Sequence, residues 1–370
     1  MFDINSYMKL HKLKKQILKG KIYEPKDLYK KFEACRSKEP VVFNIETTNA
    51  CNMTCIFCPR TTLMTRKIEH LEEDVCDKVI EQMRPWTKKE WQTWENFVFK
   101  EYGIKKTDMD QNHFFFYIIP RVVVLHGFGD PLLDKKLARR IRLLADKGLD
   151  SYFSGNPSNI NVEKNLEMME AGLNYLKYSL DSVDDMIHKE LRGKASNYTA
   201  AHKKIMTILE EKKKRNLKTS IIITMIDLQR PTQLEEWKTL KQLFEGKDVY
   251  IYLKSQDQTW YDDIQGAKDL HAAAGNSIVW SEFCHYPWVS LTIKSNGEVA
   301  MCTEDYNNEI ILGDANTESL YNIWNGQAYD DFRMKHFTKK SGDSCMMCTD
   351  HCDKKIVGDF INRGRIKNEQ

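Results

Sequence analysis

The chain has 370 residues, 41% of them apolar and 29% charged, which leaves room for one large domain with a smaller one and for a sizeable core. Its 56 basic and 53 acidic residues give a net charge of +3, a balance that argues against a polyphosphate partner or an anionic membrane surface. No run approaches the roughly 20 apolar residues that span a bilayer, and the opening Met1-Phe2-Asp3-Ile4-Asn5-Ser6 lacks the apolar core of a secretory signal, so a cytoplasmic protein is expected.

Residues 1–39 read as a helical lead-in, two short amphipathic helices within 3–36 that part near Gly20 and Pro25. Leu10, Leu13 and Ile17 form one apolar face, and Leu28 and Phe32 the other. The basic runs Lys12 to Lys15 and Lys212 to Arg215 sit in helix-like stretches and are read as wetted faces, with no nucleic-acid partner. From Pro40 the pattern turns to short β-branched runs at 41–46, 121–126, 150–154, 174–180, 218–226 and 248–254. Helical segments fit between them at 70–83, 134–147, 162–171, 197–215 and 232–244. Strands alternating with helices imply an α/β fold of right-handed parallel βαβ units over 40–265. Six such units make an incomplete barrel, with its chemistry expected at the C-terminal ends of the strands.

One segment breaks the rhythm. Residues 84–119 carry Trp86, Trp91, Trp94, Phe97, Phe99, Tyr102 and the run Phe114-Phe115-Phe116-Tyr117, an aromatic density that argues against disorder. A helical hairpin on the barrel's flank, a subunit contact and a substrate lid all fit this composition.

Ten cysteines in a reducing compartment point to metal ligands or free thiols before disulfides, and eight of them fall into two sets. Cys35 and Cys76 stand alone in helix-like contexts and are read as packed. The first set, Cys51, Cys55 and Cys58, is spaced C-x3-C-x2-C just beyond the first strand. Three thiolates hold three irons of a cubane cluster and leave the fourth open, whereas structural zinc normally closes its shell with four protein ligands. The triplet resembles the signature of the radical S-adenosylmethionine (SAM) enzymes, in which the open iron binds the amino and carboxylate groups of SAM. That resemblance implies a six-stranded partial (β/α) TIM-like barrel, a [4Fe-4S] cluster held by the three thiols, and reductive cleavage of SAM to a 5′-deoxyadenosyl radical.

After the second strand comes Gly127-Phe128-Gly129-Asp130-Pro131, where glycines permit a tight turn and a close backbone approach to a ligand. It resembles the family's GGEP motif, which contacts the SAM amino group. Asp130 replaces the glutamate here, so the backbone role of Gly127 and Gly129 carries over better than any side-chain role. Ser154 and Asn156 after the third strand, Ser179 and Asp181 at the fourth, and Arg192 in the following helix–loop match weaker family positions. Hydroxyls, amides and carboxylates suit ribose hydroxyls and a guanidinium suits the SAM carboxylate, while the same residue types also cap turns. By resemblance Phe57 rests near the adenine; packing on its own loop is the alternative.

The second set lies in residues 266–370, read as a small α+β domain: Cys284, Cys302, Cys345, Cys348 and Cys352. Trp288–Lys294, a Ser295-Asn296-Gly297 turn and Glu298–Cys302 form a β-hairpin that brings Cys284 and Cys302 to one end. With the Cys345-Met346-Met347-Cys348 knuckle they complete a four-thiolate shell that suits zinc or an iron–sulfur cluster. The stretch from Cys284 through Gly297 to Cys302, followed by Leu320-Tyr321-Asn322-Ile323-Trp324-Asn325, resembles the SPASM domain of radical SAM enzymes. Its full pattern has seven cysteines and two auxiliary clusters, and five thiols cannot fill two four-ligand sites. The resemblance therefore implies the shortened Twitch form, with one auxiliary cluster on Cys284, Cys302, Cys345 and Cys348. Cys352 is left as an exchangeable ligand, an inert thiol or a hydrogen donor to a substrate radical.

Both sites together imply an oxidoreductase that abstracts a substrate hydrogen and passes the resulting electron to the auxiliary cluster. Only a short lead-in precedes strand one, which tilts the expected substrate toward a small polar molecule such as a sugar or aminocyclitol. A peptide-modifying maturase or epimerase, and a non-catalytic metal-binding scaffold, are the other readings. A reducing partner such as flavodoxin or ferredoxin is implied, and the tunable part of the protein is positioning and redox environment.

Overall fold

The computed structural model describes residues 1–18, 21, 23–108, 110–254 and 285–338. Six parallel strands follow one another in sequence: β1 Val42–Ile45, β2 Val123–Val124, β3 Ser151–Gly155, β4 Tyr175–Ser179, β5 Ser220–Ile226 and β6 Val249–Lys254. Each pairs with its predecessor in parallel, and β1 is not closed onto β6, so the expected partial barrel is present. All four residues of β1 are buried, as befits a strand covered on both faces. Helices Glu73–Glu81, Leu137–Asp146, Val162–Glu170, Tyr198–Lys214 and Gln233–Leu243 join the strands, each within a few residues of its expected span.

The free edge of β1 is taken by the C-terminal part of the chain. Strand β7, Leu291–Ile293, runs parallel to β1 with Val42 opposite Leu291 and Ile45 opposite Ile293. Strand β8, Glu298–Ala300, returns antiparallel through a turn in which Gly297 adopts φ +87°, and β9, Ile311–Asp314, extends the sheet to nine strands. The hairpin is as expected, but its first arm is shorter. Tyr286–Val289 forms a helical turn instead, because Pro287 lacks an N–H and suits the first turn of a helix. The third strand, β9, was not anticipated: Ile311-Leu312-Gly313-Asp314 is a short run carrying a glycine, and Gly313 is needed because a Cβ there would collide with Ile323. The sheet therefore runs unbroken from the barrel into the C-terminal hairpin.

The lead-in helices Ile4–Leu18 and Pro25–Glu33 form as expected. Phe2, Tyr7, Leu10, Leu28 and Phe32 are all buried in the core. Phe32 of the second meets Trp288 at 5.0 Å and Phe337 at 4.8 Å, while the aromatic insertion is the surface the first of them packs on. Its helix Lys88–Tyr102 opens on a capping box between Thr87 and Glu90 and closes at Gly103 in the left-handed region. Trp94 meets Tyr7 edge-on at 5.3 Å and donates its indole N–H to the Phe116 carbonyl at 2.6 Å. The run Phe114–Ile118 makes a wide π-helical turn with all five residues buried. Phe114 packs against Tyr152 of β3 at 5.4 Å and Tyr252 of β6 at 5.5 Å. The insertion thus covers the flank of the barrel and sends one ring into its interior. Among the described residues no helix is long and apolar enough to cross a membrane.

Trp94 is 1% exposed. Replacing it with alanine is expected to cost about 3–5 kcal/mol through cavity formation and an orphaned carbonyl at Phe116. A fall in the urea midpoint followed by far-UV circular dichroism checks this, and an unchanged midpoint would remove the insertion from the core.

Candidate functional site

The cysteine triplet follows β1 by way of Glu46-Thr47-Thr48-Asn49-Ala50, and three sets of backbone contacts fix its loop. Thr54 N–H donates to the Arg192 carbonyl at 3.1 Å and Ile56 N–H to the Leu191 carbonyl at 3.0 Å, so the loop satisfies the open carbonyls at the end of helix Asp185–Arg192. Gly193, at φ +97°, lies so close to Thr54 that a Cβ would strike its hydroxyl. Asp130 N–H donates to the Ala50 carbonyl at 2.7 Å, and Arg60 Nε to the Asn49 carbonyl at 2.9 Å. The triplet is thereby held at the C-terminal mouth of the barrel, where parallel barrels carry their chemistry.

Cys55 is buried, and Cys51 and Cys58 are partly buried. Burial pushes the Cys55 thiol up to about 11, only partly opposed by Arg192, and pushes Cys58 up to about 12, with Cys55 and Cys51 adding to it. Thiols that raise one another's proton affinity share one small space, and bound iron is the countercharge that would hold them as thiolates. Among the described residues no three His, Cys, Asp or Glu side chains converge tightly enough for a single metal ion. A cubane tolerates that spread, since each thiolate meets a different iron. Met53 N–H donates to Cys51 Sγ at 3.4 Å, and Arg192 Nη1 reaches Cys55 Sγ at 3.9 Å. The donors and the apolar wall of Met53, Phe57, Leu191, Ile226 and Leu228 suit a cluster.

The other expected site residues gather around this loop, several in roles that sequence does not reveal. Asp181 is fully buried, with Arg192 on one oxygen at 2.5 Å and the Ile226 N–H on the other at 2.9 Å. Arg192 is thus anchored by Asp181, beside Cys55 and over the Phe57 ring at 5.4 Å. Asp130 accepts from Leu132 N–H at 3.2 Å, Asn156 N–H at 3.4 Å and Asn159 Nδ2 at 2.5 Å, which ties the glycine turn to the loop after β3. Burial pushes its carboxyl up to about 6 despite those bonds. Asn156 spans from Asn52 Oδ1, 3.3 Å from its Nδ2, to Cys51 Sγ at 3.8 Å. Ser154 and Ser179 are partly exposed on the inward face of their strands.

Gly127 and Gly129 are required by protein, not only by any ligand. A Cβ on Gly127 would collide with the Glu46 carboxylate and one on Gly129 with the Thr48 carbonyl. Glu46 is the residue that sequence reasoning missed. Fully buried, it accepts from both Arg66 Nη1 and Nη2, at 2.8 and 2.9 Å, from Phe128 N–H at 3.1 Å and from Ser295 N–H at 3.1 Å. Burial alone would raise its carboxyl; Lys294 and then Arg66 override this and bring it down to about 2. Arg66 Nε in turn donates to the Tyr306 carbonyl at 2.7 Å, and Lys294 Nζ to the Asp305 carbonyl at 2.7 Å. One carboxylate therefore ties the glycine turn, the segment after the triplet and the C-terminal hairpin together. The available signal was an acid at the end of an apolar strand, directly before the triplet.

Of the second cysteine set, Cys302 lies just past β8, buried at 2% exposure, with Glu304 N–H donating to its Sγ at 3.4 Å. The i+2 N–H to Sγ arrangement is the one seen at Cys51. Cys284, Cys345, Cys348 and Cys352 lie outside the described residues.

Glu46→Gln is expected to destabilise the chain by about 3–5 kcal/mol, because Arg66 and Lys294 keep buried charges with no anion. Glu46 has a depressed folded pKa, so its contribution is full above its unfolded value and is lost as pH falls through the folded one. Wild-type stability should thus drop by about 3 kcal/mol between pH 5 and 2 on this account. Urea unfolding of the metal-free chain across that range checks it: Glu46→Gln should lack this share of the acid slope.

The iron–sulfur cluster-binding domain family SPASM matches residues 284–353. Among solved structures, native anSMEcpe with bound AdoMet shares 11% identity over 85% of this chain and 89% of that one, with a TM-score of 0.50. SuiB from Streptococcus suis bound to S-adenosylmethionine shares 13% over 88% and 77%, with a TM-score of 0.49. BtrN in complex with AdoMet and 2-DOIA shares 13% over 80% and 86%, with a TM-score of 0.44. These likenesses concern the fold. No curated protein matches the chain by sequence. The Cys51–Cys55–Cys58 triplet thus stands at the mouth of a partial barrel whose fold resembles that of anSMEcpe, and the chain carries a C-terminal SPASM-type iron–sulfur cluster-binding domain.

Proposed function

We propose that the protein is a radical SAM oxidoreductase that removes a hydrogen from a small polar substrate held inside its barrel and passes the remaining electron to an auxiliary cluster. The observation that carries this reading is the triplet's seat: three mutually influencing thiols, N–H donors and one guanidinium, all at the C-terminal mouth of the barrel. A cluster on Cys51, Cys55 and Cys58 with SAM on its open iron would supply the 5′-deoxyadenosyl radical.

The chain's own residues have separable tasks in this scheme. Gly127 and Gly129 shape a turn whose backbone offers acceptors for the SAM ammonium, while the Asp130 side chain keeps that turn fixed to Asn156 and Asn159. Arg192, held by Asp181, keeps a positive charge beside Cys55 and favours electron density at that side of the cluster. Phe57 supplies an aromatic face for the adenine. Ser154 and Ser179, together with Asn156, stand where ribose hydroxyls would be met. Cys302, with Cys284, Cys345 and Cys348, would hold the auxiliary cluster that takes the electron. Tyr252 and Lys254 are inward groups on β6, the side of the barrel a small polar substrate would occupy.

Anaerobic reconstitution tests the reading. About eight irons per chain are expected for two cubanes, together with 5′-deoxyadenosine formed from SAM under dithionite. Replacing Cys51, Cys55 and Cys58 by alanine should abolish that product. Replacing Cys302 and Cys348 should halve the iron and leave SAM cleavage in place while ending substrate oxidation. Zinc alone at the triplet, or SAM left intact, would refute an enzymatic role. Solvent deuterium in the product would move the assignment to epimerisation.

A further inference from the structure

We propose that His126 is a further catalytic residue, one that donates a hydrogen bond from its Nε2–H to the oxygen on the substrate carbon that loses hydrogen. This rests on the reading above and deepens it by giving the reacting carbinol a partner in this chain. The place of His126 follows from strand register. Val124 of β2 lies opposite Tyr152 of β3, and Tyr152 turns inward, where Phe114 packs on it at 5.4 Å. Side chains alternate along a strand, so His126, two residues beyond Val124, returns to the same inward face. Its ring meets Tyr152 edge-on at 5.2 Å.

The imidazole is held at both ends. Asn44 Nδ2 donates to the Val124 carbonyl at 3.1 Å and to the His126 carbonyl at 2.7 Å, which pins the backbone from which the ring projects. At the ring, the Ser154 N–H donates to Nδ1 at 3.2 Å, and a nitrogen that accepts carries no proton. The one proton of a neutral imidazole is therefore assigned to Nε2. Burial is the chief cause that brings the His126 pKa down to about 3, so the ring stays uncharged. Among the described residues no group pairs with Nε2, and His126 is only half-buried. A single fixed donor thus opens on the lumen.

Its height in the barrel suits this task. Asn156, two residues beyond Ser154 and so about 7 Å further up the strand, reaches Cys51 Sγ at 3.8 Å. Gly127, next in the chain, opens the turn assigned above to the SAM ammonium. Phe114 and Tyr152 close the other side as an aromatic floor. His126 therefore stands between the radical source and the floor, at the depth where a sugar-sized molecule presents a carbon to the mouth.

Loss of a hydrogen atom from H–C–OH to the 5′-deoxyadenosyl radical leaves a carbon radical that still bears the hydroxyl. Release of the hydroxyl proton to water, and of one electron to the auxiliary cluster, completes the carbonyl. Negative charge builds on the oxygen as that proton leaves, and a preorganised donor aimed there stabilises it. His126 cannot itself take the proton, since Nε2 already carries one and Nδ1 is occupied. It acts as a neutral electrophile that keeps its proton throughout.

The test uses the anaerobically reconstituted full chain with SAM present and two probes, myo-inositol and scyllo-inosose, the second a cyclic polyol with one ketone, isotopically labelled at that carbon. Calorimetric titration reads affinity, and difference infrared spectroscopy reads the carbonyl stretch of the bound ketone. His126→Phe, which keeps a ring and lacks the donor, should weaken both cyclitols about ten-fold. The stretch should lie at lower frequency in wild type than in that variant, because a donor on the oxygen weakens the C=O bond. His126→Gln offers an oxygen to the Ser154 N–H and an N–H to the substrate, so it should restore affinity to within about three-fold and bring the stretch back down. Iron content reports whether each variant has folded, and His126→Leu replaces the phenylalanine variant if that has not.

Affinity and stretch unchanged on removing the donor, a glutamine variant no better than phenylalanine, or no binding of either cyclitol would each overturn the role of His126. A chain that cleaves SAM yet holds a carbonyl indifferent to His126 defeats this inference alone, whereas one that binds the ketone through His126 and never cleaves SAM defeats the enzymatic reading.

Discussion

A single buried carboxylate, Glu46, sets the relation between the parts of this protein that matter for its chemistry. It stands at the end of the first barrel strand, receives two bonds from Arg66 just after the cysteine triplet, one from the glycine turn at Phe128 and one from the C-terminal hairpin at Ser295. The buried Lys294 ammonium lies close enough to shift it further. A buried ion pair contributes little net stability against an apolar alternative, since desolvation offsets most of the attraction. What it supplies is a fixed geometry, because each of these charges is costly in any other arrangement. Gly127 has no side chain because Glu46 occupies that space, so the glycine-rich turn is built around the clamp as much as around a ligand.

That arrangement explains why the C-terminal domain is not an appendage. Strand β7 completes the free edge of β1 with parallel hydrogen bonds, removing a row of unpaired backbone groups that would otherwise face solvent. Cys302 emerges from the hairpin on the same sheet that emits the triplet from β1, and both Cys51 and Cys302 receive an N–H from the residue two positions on. One continuous sheet with a shared salt-bridge network fixes the separation of Cys302 from the triplet.

The fold was legible because its signals are local. Six β-branched runs and the intervening helical segments each reveal themselves within a window of ten to twenty residues, and the triplet's spacing is a pattern of adjacent positions. What could not be read depends on residues far apart in sequence. Glu46 and Ser295 meet across 249 positions, and the β1–β7 pairing joins two segments that look like separate domains. Asp181 resembled a ribose ligand by position, yet its oxygens are taken by Arg192 and the Ile226 N–H, a partner that only the register of β4 against β5 supplies. The aromatic insertion was visible as dense in rings but not as a floor, since only the folded chain brings Phe114 against Tyr152 and Tyr252.

The same long-range placement decides which side chains line the barrel. From sequence, Lys254 and Tyr252 were inward residues of one strand, and Lys177 was one of many lysines. Parallel register puts Lys177 and Lys254 on one interior face, and the Ser154 N–H fixes the neighbouring imidazole as a donor. The aromatic floor beneath them, Phe114 against Tyr152 and Tyr252, comes from a segment inserted between the first two strands, so the lining of the lumen is assembled from parts of the chain that no local pattern connects.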